Sequence, residues 1–185
     1  MRIITGSAKG LKLKTLEGYT TRPTAERVKE AVFSMIQFDI EGRNVLDLFA
    51  GSGQMALEAL SRGANCATLV DKSKDAINVI RDNIKRANFA DKCSVFNSDY
   101  LDFLNRSTDN KYDIVFLDPP YALKMYEPAL KVMLGSSVLK PTSLIVCESG
   151  NDTIFENDTA LCAKFEIEKH SKYGKTYVTV LRPLF

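Results

Sequence analysis

Residues 45–56, VLDLFAGSGQMA, decide the fold of this chain. The apolar run 45–49 predicts a buried strand, the glycines after it predict a tight turn, and residues 55–62 predict a helix. Gly51 and Gly53, with a small residue three positions further on, match the spacing G-x-G-x-x-A. Between a strand and a helix, this spacing lets the backbone approach a ligand closely at the carboxyl end of a parallel sheet.

Strand and helix patterns alternate on both sides of this motif. Predicted strands at 45–49, 66–70, 94–97, 113–117 and 144–148 are separated by predicted helices at 55–62, 74–87, 100–104 and 125–134. Alternation of this kind predicts a doubly wound, mostly parallel α/β sheet with helices on both faces. Two further strands, 165–169 and 176–181, predict an antiparallel C-terminal edge hairpin, which brings the Rossmann-like sheet to seven strands.

The chain is predicted to be a single compact domain with a small appendage. Residues 1–20 predict an N-terminal β-hairpin arm, because Gly6 and Gly10 punctuate two short apolar stretches. Residues 21–185 predict the Rossmann-like domain. With 185 residues, 45% hydrophobic and 26% charged, the composition is that of an ordinary soluble globular protein and a monomer is the default.

Several classes of protein are disfavoured by composition. No apolar run approaches the length that spans a membrane, and the start MRIITGSAKG lacks the apolar core of a signal peptide. The four cysteines are widely spaced and include no C-x-x-C pair, so we expect reduced core thiols in a cytoplasmic enzyme. The single histidine, His170, is expected to be a packed strand residue, and no metal site is predicted.

Charge is distributed unevenly along the chain. Residues 1–36 carry seven basic and three acidic residues, and residues 164–185 carry five and two, whereas the remainder is acidic. Basic ends on an acidic centre suit a polyanion held at one edge, as expected for nucleic acid. Chance clustering on solvated faces is the alternative.

The run YDIVFL at 112–117 is followed by Asp118, Pro119, Pro120 and Tyr121. The prolines fix φ near −65° and donate no backbone N–H, so the chain forms a rigid shelf whose carbonyls stay free to accept. A carboxylate and a carbonyl can accept the two hydrogens of an exocyclic amino group while the tyrosine ring stacks on the base. The shelf therefore indicates a nucleobase amino group as ligand, and a plain Pro-Pro turn is the alternative.

Three more acids, Asp47, Asp71 and Asp99, fall at the ends of consecutive predicted strands. Asp71 is placed to accept both ribose hydroxyls of a nucleoside, and Asp99 to accept from an adenine amino group. A dinucleotide would need its pyrophosphate at the helix N-terminus. S-adenosylmethionine instead brings an ammonium and a sulfonium, which Asp47 favours. The alternative is that all three acids are helix N-caps. The remaining predicted cofactor residues are Phe49, Ala50, Gly51, Ser52, Gly53, Lys72, Tyr100 and Thr24.

The chain resembles the RsmD family. The resemblance rests on TRPTAERVKEAVF, DLFAGSG, LEALSRGA, DPPY and KYGKT, and it covers nearly the whole chain. It implies a class I S-adenosylmethionine-dependent methyltransferase fold and transfer to the exocyclic N2 of one guanine in small-subunit ribosomal RNA. The chain departs from the family at Gln54 and Met55, where small residues are usual.

The resemblance also implies how substrate is held. The target guanine leaves its stack, Tyr121 stacks on it, and Asp118 with the Pro119 carbonyl holds the amino group. The partner is small-subunit ribosomal RNA, within the small ribosomal subunit or an assembly intermediate. Candidate RNA-binding residues are Arg2, Lys9, Lys12, Lys14, Arg22, Lys172, Tyr173 and Lys175, each of which could instead be a solvated surface residue.

Four other functions compete with this interpretation. A DNA adenine-N6 or cytosine-N4 methyltransferase shares the DPPY shelf, but the chain has no separate region for target recognition. A protein glutamine methyltransferase usually begins that shelf with asparagine. A nicotinamide oxidoreductase is disfavoured by Asp47 and the shelf. A non-catalytic RNA-binding assembly factor predicts that replacing Asp118 leaves function intact.

Overall fold

The computed structural model describes residues 1–16, 23–106, 111–120, 124–155 and 158–185, with no side-chain description for residues 23–25. Within those ranges the chain forms a seven-stranded sheet flanked by helices. In chain order, its elements are α1 (Pro23–Met35), β1 (Asn44–Asp47), α2 (Gln54–Ser61), β2 (Cys66–Asp71), α3 (Lys74–Ala87), β3 (Cys93–Asn97), α4 (Tyr100–Arg106), β4 (Tyr112–Leu117), α5 (Tyr126–Gly135), β5 (Leu139–Ser149), α6 (Thr159–Cys162), β6 (Phe165–Tyr173) and β7 (Thr176–Pro183).

The strand order is β3-β2-β1-β4-β5-β7-β6. The first five strands are parallel, and β7 is antiparallel to both β5 and β6. The order reverses at β1, so the glycine turn after this strand lies at the switch point where doubly wound folds bind ligands. The predicted fold class, including the antiparallel edge hairpin, is confirmed.

Each face of the sheet is covered by its own apolar core. Alternate residues of the central strands point to opposite faces, as the pleat requires. On one face Val45, Ile114 and Phe116 pack with residues of α1, α2 and α3. On the other, Leu46 and Val115 pack with residues of α4 and α5. Strand β4 is buried along its whole length, so the shelf that follows it projects from the centre of the sheet.

The N-terminal arm lies on α2 and α3 and pairs with itself through one antiparallel bridge, between Arg2 and Lys12. Its anchor is a buried polar cluster on α2. The fully buried Glu58 carboxylate accepts from the backbone N–H groups of Ile4, at 2.7 Å, and Thr5, at 3.1 Å. The Lys29 ammonium, also buried, lies 3.3 Å from Glu58 and donates to the Arg2 carbonyl.

A second anchor joins the arm to the glycine turn. The Asn83 side chain on α3 is fully buried. Its oxygen accepts from the Lys14 backbone N–H at 2.8 Å, and its amide nitrogen donates to the carbonyls of Lys14 and Ser52, each at 2.9 Å. One side chain therefore fixes the end of the arm against the turn.

The elements differ from the sequence expectations at their ends and in one helix, α6, that was not predicted. Strand β5 begins at Leu139, earlier than predicted, and so includes Pro141. The proline is tolerated because it lies in the exposed first part of the strand, where a missing N–H costs little. The short helix α6 carries an N-cap from Asp158 to the Leu161 N–H, at 2.8 Å. No helix in the described ranges is long and apolar enough to cross a membrane.

Candidate active site

Acidic residues lie at or just beyond the carboxyl ends of the five parallel strands. Asp47 ends β1, Asp71 ends β2, Asp99 follows β3, Asp118 follows β4, and Glu148 lies one residue before the end of β5. Asp47 is in register with Leu69 of β2 and Phe116 of β4, so these ends meet at one edge of the sheet. The structure thus brings the three predicted cofactor carboxylates to the same edge as the shelf.

Asp47 is buried, with only 3% of its surface exposed. Its carboxylate accepts one hydrogen bond from the Ala56 backbone N–H, at 3.3 Å. Burial raises the pKa of Asp47 to about 7; the Ala56 N–H opposes that shift and the neighbouring Asp71 carboxylate adds to it. A carboxylate this poorly compensated is a site that favours a cation.

Asp71 shapes the glycine turn. Its carboxylate accepts from the Gly51 backbone N–H and from the Ser73 backbone N–H, both at 2.8 Å. The Asn97 amide donates to the backbone carbonyls of Asp71 and Lys72, each at 3.0 Å, and fixes the loop after β2. The predicted ribose contact of Asp71 stays a prediction, and in the structure this carboxylate also has a positioning role.

The two glycines of the turn differ in what surrounds them. Both have left-handed backbone, with φ of 54° at Gly51 and 78° at Gly53. A Cβ at Gly53 would lie 3.0 Å from the Leu69 side chain, in the core. A Cβ at Gly51 would meet nothing within 4 Å, so this glycine borders open space. Gly53 is therefore needed for packing, while Gly51 leaves room for a ligand.

The other predicted cofactor residues surround the turn. Phe49 and the buried Tyr100 pack with ring centroids 5.1 Å apart. Asp99 accepts from the Leu101 N–H at 2.9 Å, so the N-cap alternative does describe one of its contacts. Ala50 is buried and Lys72 is exposed. The Thr24 side chain lies outside the described part of the chain.

Gln54, where the chain departs from its family, contributes a buried acceptor. Among the described residues, its Oε1 atom has no hydrogen-bond partner. Gln54 is the first residue of α2, directly after Gly53. A buried amide oxygen without a donor costs free energy, so a ligand that brings an N–H or ammonium to this turn would be favoured.

Asp118 lies at the mouth of this edge. Its side chain reaches solvent even though protein atoms surround it closely, and Pro119 beside it is buried while Pro120 is exposed. The pKa of Asp118 is raised, first by removal from bulk water and then by repulsion from the Glu148 and Asp47 carboxylates. Tyr121 lies outside the described residues.

Glu148 is the acid that the sequence analysis missed. It ends the predicted strand 144–148, so the rule that selected Asp47 and Asp71 applies to it equally. Its backbone carbonyl accepts from the Tyr126 hydroxyl at 2.5 Å, which ties the start of α5 to the end of β5. Glu148 thereby fixes the wall beside the shelf.

The predicted RNA-binding residues belong to two separate elements. On the arm, Arg2 lies 3.7 Å from Glu26 and Lys14 lies 2.5 Å from Asp82, while Lys9 and Lys12 are exposed. The others are on the C-terminal hairpin: Lys172 and Lys175 are exposed and Tyr173 packs against the core. Arg22 lies outside the described residues. His170 lies on β6, as predicted, where its ring packs against Tyr177 but its side chain remains partly exposed.

Comparison with known proteins gives a consistent set of relatives. The family model described as conserved hypothetical protein 95 matches residues 1–182. The ribosomal RNA small subunit methyltransferase D of Haemophilus influenzae is 36% identical over 82% of this chain and 80% of its own length. Its Escherichia coli namesake is 34% identical over 80% and 74%. The solved structure of Escherichia coli yhhF, described as a candidate methyltransferase, has a TM-score of 0.84 at 29% identity and covers 100% of this chain and 98% of its own.

Proposed function

The chain belongs to the RsmD family, and we propose that it is an S-adenosylmethionine-dependent methyltransferase that modifies the exocyclic N2 amino group of a guanine in small-subunit ribosomal RNA. Two relatives named as small-subunit ribosomal RNA methyltransferases support the substrate class. The carboxylates that converge at the glycine turn support the cofactor class, and the shelf that begins with Asp118 supports an amino group as acceptor.

The residues present fit S-adenosylmethionine better than a dinucleotide. Asp47 is a buried carboxylate with a single hydrogen bond of 3.3 Å, and a second carboxylate, Asp71, is close enough to raise its pKa. A pyrophosphate brought to this turn would add negative charge to an already acidic site. An ammonium and a sulfonium would instead compensate it. The open space at Gly51 and the buried Gln54 oxygen accommodate the same end of the ligand.

Bound S-adenosylmethionine supplies a methyl group on a positively charged sulfur, and the protein supplies position. The Asp118 carboxylate and the Pro119 carbonyl can each accept one hydrogen of the target amino group. The lone pair of an exocyclic guanine nitrogen is delocalised into the ring, so orientation matters more than a strong base. Holding the nitrogen in line with its methyl donor is worth several orders of magnitude in rate.

Positive charge at this edge also adjusts the carboxyl groups. Among the neighbouring charges, Glu148 repels the Asp118 carboxylate most and Asp47 adds to the repulsion. A cation among them lowers the pKa of both aspartates and so favours the ionised form, which accepts hydrogen bonds best. The protein therefore prepares the acceptor site when the cofactor site is filled.

The RNA itself would be held by the arm and the C-terminal hairpin. Lys9, Lys12 and Lys175 are exposed cations suited to phosphate contacts. Only a few such groups are present, so affinity for naked RNA is expected to be weak. We propose that the substrate is the small ribosomal subunit or an assembly intermediate, approached by a monomer in the cytoplasm.

The observation that carries the proposal is the under-compensated Asp47 carboxylate beside an open glycine turn. Titration calorimetry tests it with S-adenosylmethionine, S-adenosylhomocysteine and NAD as ligands. We expect both adenosyl ligands to bind, Asp47→Asn to weaken S-adenosylmethionine more than S-adenosylhomocysteine, and NAD not to bind. Tight NAD binding without adenosylmethionine binding would overturn the proposal.

A further inference from the structure

The C-terminal hairpin extends along the same edge as the active site. In the antiparallel pair of β5 and β7, Ser149 is opposite Tyr177 and Glu148 is opposite Val178. The turn between β6 and β7 therefore lies beyond the carboxyl end of β5. Because Glu148 is close enough to shift the pKa of Asp118, the first residues of β7 are one strand away from the shelf.

Three side chains on this hairpin form a partly exposed stack. The His170 and Tyr177 rings are nearly parallel, 20° apart, with centroids separated by 5.7 Å. The Lys172 ammonium lies 4.8 Å from the centroid of the Tyr177 ring. We call His170, Tyr177 and Lys172 the hairpin stack. Lys172 is opposite Tyr177 and His170 is opposite Thr179 in the β6–β7 pair, which places all three on one face.

Both nitrogens of His170 are occupied. Nδ1 lies 2.9 Å from the Thr179 hydroxyl, and Nε2 lies 3.0 Å from the Asp152 carboxylate. These two hydrogen bonds fix the orientation of the imidazole. What it offers is its ring, of which 36% of the side-chain surface remains exposed. A fixed, exposed aromatic ring beside a cation is the arrangement that binds unstacked bases.

We propose that the hairpin stack binds the RNA nucleotide adjacent to the target guanine, an inference that rests on the proposed function. A base that leaves its helix breaks the stacking of its neighbours, and a protein ring can replace the lost partner. Lys172 and Lys175, on the same hairpin, provide positive charge for the phosphate of that nucleotide.

The test compares steady-state methyl transfer to small ribosomal subunits by the full chain and four variants. His170→Ala removes the ring and Lys172→Gln removes the charge. Phe38→Ala and Lys111→Gln are matched controls: Phe38 is 92% exposed, before β1, and Lys111 is exposed, before β4, so both lie toward the amino edge of the sheet. Calorimetry with S-adenosylhomocysteine verifies that each variant is folded.

We expect His170→Ala to raise the KM for subunits about tenfold and Lys172→Gln to raise it several-fold, while kcat and cofactor affinity stay within about twofold. The controls should resemble the wild type. If the wild type transfers methyl and both hairpin variants have an unchanged KM, the role of the hairpin stack in RNA binding is overturned while the proposed function stands. No transfer by the wild type would overturn the stack and the proposed function together.

A third outcome separates RNA from protein as the partner. Filter binding of naked small-subunit ribosomal RNA should show the same loss of affinity in His170→Ala as the subunit assay. If the variant loses affinity for the subunit but binds naked RNA as the wild type does, the stack contacts a ribosomal protein. That result would overturn the assignment to RNA.

Discussion

Asp47 is a residue whose ionisation makes the stability of the fold depend on pH. Because its native pKa is raised from 3.8 to about 7, the unfolded chain loses this proton at lower pH than the native protein does. The contribution of Asp47 to the free energy of unfolding therefore falls as pH rises from about 4 to about 7, by at most about 4 kcal/mol. Asp47→Asn should remove this fall and stabilise the protein at pH 8 but not at pH 4. Urea unfolding at both pH values measures it, and identical pH dependence in wild type and variant would contradict the burial argument.

Asp118 tests catalysis at the same scale. Asp118→Asn keeps the shape of the side chain but places an N–H where an acceptor is needed, so we expect methyl transfer to fall by about 100-fold or more. Since the ionised carboxyl is destabilised by its neighbours, the melting temperature should stay the same or rise. Asp102→Asn, an exposed change of the same chemistry on α4, is the control. Substantial remaining turnover would contradict the assignment of Asp118 to the acceptor site.

At the scale of elements, the glycine turn offers a matched pair of substitutions. Gly53→Ala adds a left-handed backbone cost of about 1 kcal/mol and forces the Leu69 side chain to move. Gly51→Ala adds a similar backbone cost but enters open space. We expect Gly53→Ala to lower the free energy of unfolding more than Gly51→Ala does. For the same loss of stability, we expect Gly51→Ala to weaken cofactor binding more than Gly53→Ala does. Chemical unfolding measures the stability of each variant, and calorimetry measures its affinity for the cofactor. An equal ratio of lost affinity to lost stability in the two variants would show that Gly51 does not border the ligand.

The buried cluster of Glu58 and Lys29 that anchors the arm on α2, here called the arm clamp, gives a second prediction at this scale. Glu58→Gln leaves the buried Lys29 ammonium with less compensation, so we expect a loss of about 3–5 kcal/mol in stability and of hydrogen-exchange protection in residues 1–16. Lys29→Met combined with Glu58→Gln should be less destabilising than the sum of the single changes. Additive effects would mean that the two charges do not compensate each other.

Local patterns predicted the elements well, because strand length, glycine turns and strand-end acids depend on residues that are close together in the sequence. The helix at 74–87 was predicted at its observed limits, where Ser73 caps one end and Asn88, with φ of 59°, ends the other. The arm clamp could not be predicted in this way. Glu58 contacts Ile4 across 54 positions, and nothing near either residue signals the other. The partial exposure of His170 could not be predicted for a similar reason, since it depends on the partner strand.

At the scale of the whole molecule, the acidic centre and the basic ends acquire separate roles. The carboxyl edge of the sheet gathers negative charge, which suits the cationic cofactor that we propose. The arm and the hairpin extend from opposite parts of the chain and carry exposed lysines. Phosphate contacts of this kind make affinity depend on salt, so the KM for subunits should rise steeply between low and moderate salt while cofactor affinity changes little. A KM that does not depend on salt would contradict the proposed RNA contacts.

The most direct test of the central claim is transfer of labelled methyl from S-adenosylmethionine to small ribosomal subunits that lack the modification. Naked ribosomal RNA and DNA are assayed in parallel, and labelled RNA is digested to nucleosides. We expect label in the subunit RNA as N2-methylguanosine, strongly reduced with Asp118→Asn. Label in DNA, or in another nucleoside, would contradict the proposed acceptor. Absence of label from every substrate despite cofactor binding would contradict ribosomal RNA as the substrate.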